Sequence, residues 1–100
     1  MSLLYVLKGK QVRVVDTANG YLSIIFDDGE SGLHVFNTYS TSAASAQDMT
    51  GKVVRDIAKT EEHWRMVFQD GTYLKIGMRD CDYDGPESFI CFAGGNFYVN

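Results

Sequence analysis

An all-β fold is expected of this 100-residue chain, because short apolar runs alternate at period two, turn residues punctuate them, and the whole pattern occurs twice. Shifting the chain by 42 residues lays Gly51-Lys52 on Gly9-Lys10, Val54-Arg55 on Val12-Arg13, and Phe68-Gln69-Asp70-Gly71 on Phe26-Asp27-Asp28-Gly29. From Gly9 to Gly29, seven of the 21 aligned pairs are identical, and Leu22/Trp64, Ile24/Met66 and Ile25/Val67 stay apolar, so the match is a duplication. The expected architecture is two pseudo-symmetric three-stranded antiparallel meanders plus a C-terminal hairpin, forming either a small sandwich or a partly closed barrel. The repeats run over about 9–36 and 51–77, with a linker at 37–50 and the hairpin at 88–99. A repeat of about 40 residues is near the size below which chains need staples or partners, so residues 1–100 are expected to fold as a single domain.

The first strand signal is Leu3 to Leu7, and Gly9-Lys10 then predicts a kink or bulge before a β-branched strand from Val12 to Asp16. Thr17-Ala18-Asn19-Gly20 supplies a turn, since Asn-Gly accepts the positive φ of a tight hairpin. Tyr21 to Asp27 returns with Leu22, Ile24 and Phe26 on one face; Asp28-Gly29 turns again, and Leu33 to Phe36 completes the meander. Val53 to Ala58, His63 to Gln69 and Thr72 to Gly77 repeat it. One extra residue between Gly29 and Leu33 is needed to align the third strands, and a bulge there is the simplest account. Asn37 to Thr50 carries no strand pattern, although Ser42 could cap a helical turn through Ala46 or Gln47. Phe89 to Phe92 and Phe97 to Val99, about a Gly94-Gly95-Asn96 turn, make the last hairpin, for about eight strands in all.

Composition excludes more than it suggests. Nine basic and 13 acidic residues give a net charge of −4, which disfavours nucleic acid and suits a basic protein partner or ordinary solubility. No apolar run approaches the roughly 18–20 residues of a membrane span, and Met1 to Leu7 is too short for a signal peptide, so a cytoplasmic location is expected. Cys81 and Cys91 are then expected as reduced thiols. With His34 and His63 they could form a zinc site only without the usual ligand spacing, so no metal is expected. The same four residues give no nucleophile–base signature, and Ala93-Gly94-Gly95-Asn96 is a hairpin turn, not a phosphate loop. Neither catalysis nor a cofactor is expected. His34 and His63 are read as strand residues turned toward solvent, and Lys10 and Lys52 as snorkelling residues at strand edges.

The densest polar segment is Arg79 to Glu87. Asp80, Asp82, Asp84 and Gly85 match the opening of a calcium loop, but Cys91 stands where the bidentate glutamate belongs, which leaves calcium a weak alternative to a solvated acidic turn. The paired GK-x-V and F-x-DG halves, with Tyr83-Asp84-Gly85-Pro86-Glu87 leading into the final hairpin, resemble a group of small bacterial β-rich proteins without an established activity. The resemblance implies the fold and no chemistry. Small acidic β-proteins encoded beside bacterial toxins as immunity proteins offer an analogy. The leading expectation is a non-enzymatic protein-binding module of toxin-neutralising type, contacting a basic partner through Asp80, Asp82, Asp84 and Glu87 with Tyr83 as an aromatic anchor. The alternatives are a self-assembling protein whose open strand edges pair into a homodimer, and a small-ligand or calcium-binding protein using residues 79–87.

Overall fold

The structure, a computed structural model, describes residues 5–18, 20–82, 89–93 and 95–99. It is all-β: nine strands among the described residues form two antiparallel sheets that do not close into one barrel. The strands are β1 (Val12–Asp16), β2 (Leu22–Phe26), β3 (Gly32–Val35), β4 (Tyr39–Thr41), β5 (Val54–Lys59), β6 (His63–Phe68), β7 (Tyr73–Gly77), β8 (Phe89–Ala93) and β9 (Asn96–Val99). One sheet has the order β1-β2-β3-β8-β9, the other β4-β7-β6-β5. No helix among the described residues is long and apolar enough to cross a membrane.

Period-two alternation puts one set of side chains from each sheet into a common core. From the first half come Leu22, Ile24, Phe26, Leu33 and Val35; from the second come Trp64, Met66, Phe68, Leu74 and Ile76. Phe89 and Cys91 of β8 join them, as do Leu7, Val12, Met49, Val54 and Ile57. Both cysteines are free, and burial pushes the Cys91 thiol up to about 12, which keeps it a protonated apolar side chain beside Leu33.

The two halves meet where the first strand of each begins. Gly9 N–H donates to the Val54 carbonyl at 2.8 Å and Gly51 N–H to the Val12 carbonyl at 2.8 Å. Val12 N–H reaches the Lys52 carbonyl at 2.8 Å, and Val54 N–H the Lys10 carbonyl at 2.9 Å. Adding 42 to one partner and subtracting it from the other turns each bond into its counterpart, with Gln11 bridged to Val53 between them. Each first strand then breaks register once, between Val12 and Val14 and between Val54 and Asp56. The extra residue takes Arg13 and Arg55 out of the ladder and bends the strand onto the core.

Several expectations are corrected here. Tyr5–Leu7 is a 3₁₀ turn, not part of a strand, and Leu3 and Leu4 lie outside the described residues. Ala46–Met49 is its counterpart, and the turns deliver Leu7 and Met49, both fully buried, to the core. The segment read as a linker holds a strand, β4, which pairs with β7. Its signal is weak in sequence because Tyr39-Ser40-Thr41 is short and lies at a sheet edge. The extra residue of the first half is not a bulge: β2 and β3 pair in unbroken register. It lengthens the turn instead, where Asp28 Oδ1 accepts from the amides of Glu30 and Ser31.

Lys10 and Lys52 are not merely edge residues. Lys10 Nζ binds Asp28 Oδ2 at 2.8 Å and Lys52 Nζ binds Asp70 Oδ2, so each Asp-Gly turn is tied to the start of its own repeat. Gly29 and Gly71 take φ of 70° and 89° beside these carboxylates, in the left-handed region that favours glycine. The lysine ammonium and the turn donors hold both carboxyls well below the usual carboxylate range. Depressed folded-state values mean stabilisation that is present above the unfolded carboxylate range and is lost as pH falls below it. Both pairs are solvent-accessible, so the effect is screened. Asp28→Asn with Asp70→Asn should flatten the acid limb of a plot of melting temperature against pH below about pH 4, leaving its neutral region nearly level. An acid limb as steep as wild type would remove these two carboxylates from the explanation.

Candidate interaction surfaces

Two surfaces stand out: the segment that begins at Arg79, and the outer face of the five-stranded sheet. The first starts as a 3₁₀ turn, Asp80–Asp82. Asp82 is 6% exposed, so it is not the free contact residue expected of an acidic binding face. Its Oδ2 accepts from the Arg79 backbone amide and from Arg79 Nε, both at 3.2 Å, and the guanidinium pairing lowers its pKa. The Asp82 carbonyl accepts from Thr38 N–H at 2.9 Å, which ties the turn to the approach of β4. Gly77 makes this possible, since a Cβ there would overlap the Asp82 carboxylate. Of the other expected contacts and calcium ligands, Tyr83, Asp84 and Glu87 lie outside the described residues, and of Asp80 only the backbone is described. Among the described residues no cluster of three or more His, Cys, Asp or Glu side chains has metal-binding geometry.

Beside Asp82 run two shallow depressions of about 240 and 210 Å³. Glu62 and His63 line the first, Thr38, Tyr39 and Ser40 the second, and Lys75, Gly77, Arg79 and Asp82 border both. The space arises from divergence between the repeats: Gly77 stands where the first half has Phe36, and His63 where it has Tyr21. Carboxylates and cations mix along both walls, so neither depression offers a site of one sign.

The second surface has a more ordered construction. Outward positions of five strands form one cross-strand row, Val14, Ile25, Gly32, Phe92 and Phe97, each opposite the next. A second row sets Asp16, Ser23, His34 and Ile90 side by side. Aromatic contacts stitch the rows together. Phe36 and Tyr21 lie 5.1 Å apart between centroids, Tyr21 and His34 5.7 Å, His34 and Phe92 5.6 Å, and Phe92 and Phe97 5.8 Å. The Phe92 ring lies over Gly32, where any Cβ would collide with it. The chain of rings ends on Phe97, 72% exposed, at one sheet edge, while Val14, 45% exposed, lies at the other.

The matching face of the four-stranded sheet is more polar, although Val67 keeps the apolar character of Ile25. Asp56 replaces Val14, Arg65 replaces Ser23, and Lys75 replaces His34. Tyr73 takes the place of Gly32, and the Arg65 guanidinium covers its ring at 5.0 Å. The two repeats thus keep their inner faces and differ on their outer ones. His34 is not turned freely to solvent: it sits between Tyr21 and Phe92, and its buried Nδ1 has no hydrogen-bond partner among the described residues. The aromatic face was absent from the expected site. Its signal is present in sequence as rings at the outward parity, Tyr21, Phe36 and Phe92, alternating with core positions.

Comparison of the chain with protein-family models, curated proteins and solved structures gives no match.

Proposed function

We propose that this chain is a non-enzymatic protein-binding module whose contact surface is the outer face of the five-stranded sheet. The observation that carries the reading is the continuous aromatic row from Phe36 to Phe97 on a face whose counterpart in the other half is more polar, with Asp56, Arg65 and Lys75 in place of Val14, Ser23 and His34. An aromatic centre of this kind desolvates well and supplies large contact area at low side-chain entropy cost, as interface hot spots do. The net charge of −4 favours a partner with an apolar centre and a basic rim, the chemistry of the toxin-neutralising version. In this reading the chain is one cytoplasmic domain of two pseudo-symmetric halves arranged as a sandwich, one half conserving structure and the other freed to bind. Reciprocal bonds between Gly9, Val12, Gly51 and Val54 support the symmetry.

The test is capture from the native host's lysate with tagged wild-type chain, Tyr21→Asp with Phe92→Ser on the aromatic face, and Arg65→Glu on the polar face. A single partner lost by the first variant and retained by the second is expected. Retention by both, with each variant folded by circular dichroism, would move the contact elsewhere.

A further inference from the structure

We infer that the outer edge of β9 pairs with β9 of a second copy, in antiparallel register centred on Phe97, to make one ten-stranded sheet. This goes beyond the protein-binding reading, because the strand edge and not the face carries it.

A sheet edge presents unpaired backbone donors and acceptors, and proteins protect edges with charges, bulges, very short strands or covering segments. Of the four edges formed by the described strands, three carry such protection among the described residues. β1 and β5 each have a bulge, and their starts are bonded to one another through Gln11 and Val53. β5 also carries Arg55, Asp56 and Lys59. β4 is only three residues long. β9, with the sequence Asn-Phe-Tyr-Val, has no charge, no proline and no register shift, and no described strand pairs with its outer side.

The register follows from the hairpin. Ala93 and Asn96 close a two-residue connection and therefore form a hydrogen-bonded pair. Pairs alternate along an antiparallel ladder, so the backbone groups of Asn96 and Tyr98 face β8 and those of Phe97 and Val99 face outward. Phe97 placed opposite Phe97 of the second copy exchanges two N–H···O bonds about a twofold axis normal to the sheet. That axis keeps both outer faces on the same side. The exposed ring of Phe97 then meets its own symmetry mate, and the row Gly32–Phe92–Phe97 continues into its copy. A neutral strand is complementary to itself without opposite charges, which favours a second copy over a charged partner strand.

Sedimentation equilibrium of the full chain should give twice 11.2 kDa, and amide exchange should show a protected Phe97 N–H. Phe97→Lys, which sets like charges opposite one another, should return the mass to that of one chain. Val14→Lys, on the same face but the opposite edge, should leave the dimer intact. In a Cys81→Ser background, Phe97→Cys should form a disulfide between copies on mild oxidation. A monomeric wild type, or a dimer that survives Phe97→Lys, overturns the inference. If that monomer still captures a partner through Tyr21 and Phe92, the edge pairing alone falls. A dimer sensitive to Phe97→Lys, with no such partner, supports the pairing and overturns the protein-binding reading.

Discussion

Phe68→Ala is expected to lower folding stability by about 3–5 kcal/mol, the usual loss for truncating a buried phenylalanine. Phe26→Ala should cost a similar amount, since both rings are fully buried and occupy corresponding ends of β2 and β6. Each loses the transfer energy of its ring and leaves a cavity whose walls belong to strands fixed on both sides. A domain of this size has roughly 5–15 kcal/mol in total, so either change should shift a denaturation midpoint strongly, and both together should prevent folding. Phe97→Ala provides the contrast within the same residue type. Its ring is 72% exposed, and the isolated chain should lose only about 0.5 kcal/mol. Urea unfolding of the three variants at a concentration below any self-association measures all of them. Equal losses at Phe68 and Phe97 would contradict the division between core and outer face.

Gly32→Val is expected to have the second largest effect, about 1–3 kcal/mol of destabilisation from overpacking. Glycine is required here by close approach. A Cβ at this position would overlap the Phe92 ring and come within 2.8 Å of the Ile24 carbonyl oxygen. The ring can rotate away, but the carbonyl belongs to the neighbouring strand and cannot move without disturbing the ladder between β2 and β3. Expelling Phe92 would also break its contacts with His34 and Phe97. The variant should therefore lose stability in thermal unfolding and lose partner capture at temperatures where it remains folded. A fully stable Gly32→Val protein would mean that Phe92 does not lie on this glycine.

Much of the core was legible from residue type and spacing. Leu22, Ile24 and Phe26, like Trp64, Met66 and Phe68, lie at alternating positions, and alternation alone puts them on one face of a strand. Asp-Gly announced both turns for a local reason, since Gly29 and Gly71 need positive φ whatever the surroundings. Other features depended on neighbours distant in sequence. β4 exists because β7 supplies its bonding partners. Lys10 and Asp28 are 18 residues apart and meet only when the turn folds back on the repeat start. Asp82 reads as a solvated acid in a run of acids, but Thr38, Gly77 and Arg79 together draw it inward. The candidate site was legible only in part, because a strand pattern shows which side chains alternate but not what covers the second face.

The all-β class, the principal turns and the inward residues of the central strands are written in residue type and spacing. These follow from backbone preferences and period-two geometry, which act over a few residues. Tertiary structure alone decided the sheet order, the joining of the halves through Gln11 and Val53, the inward turn of Asp82 and the alignment of Val14, Ile25, Gly32, Phe92 and Phe97 across five strands. Long-range strand pairing sets which neighbours each outward side chain meets, and that information lies in the register between strands rather than in any one of them.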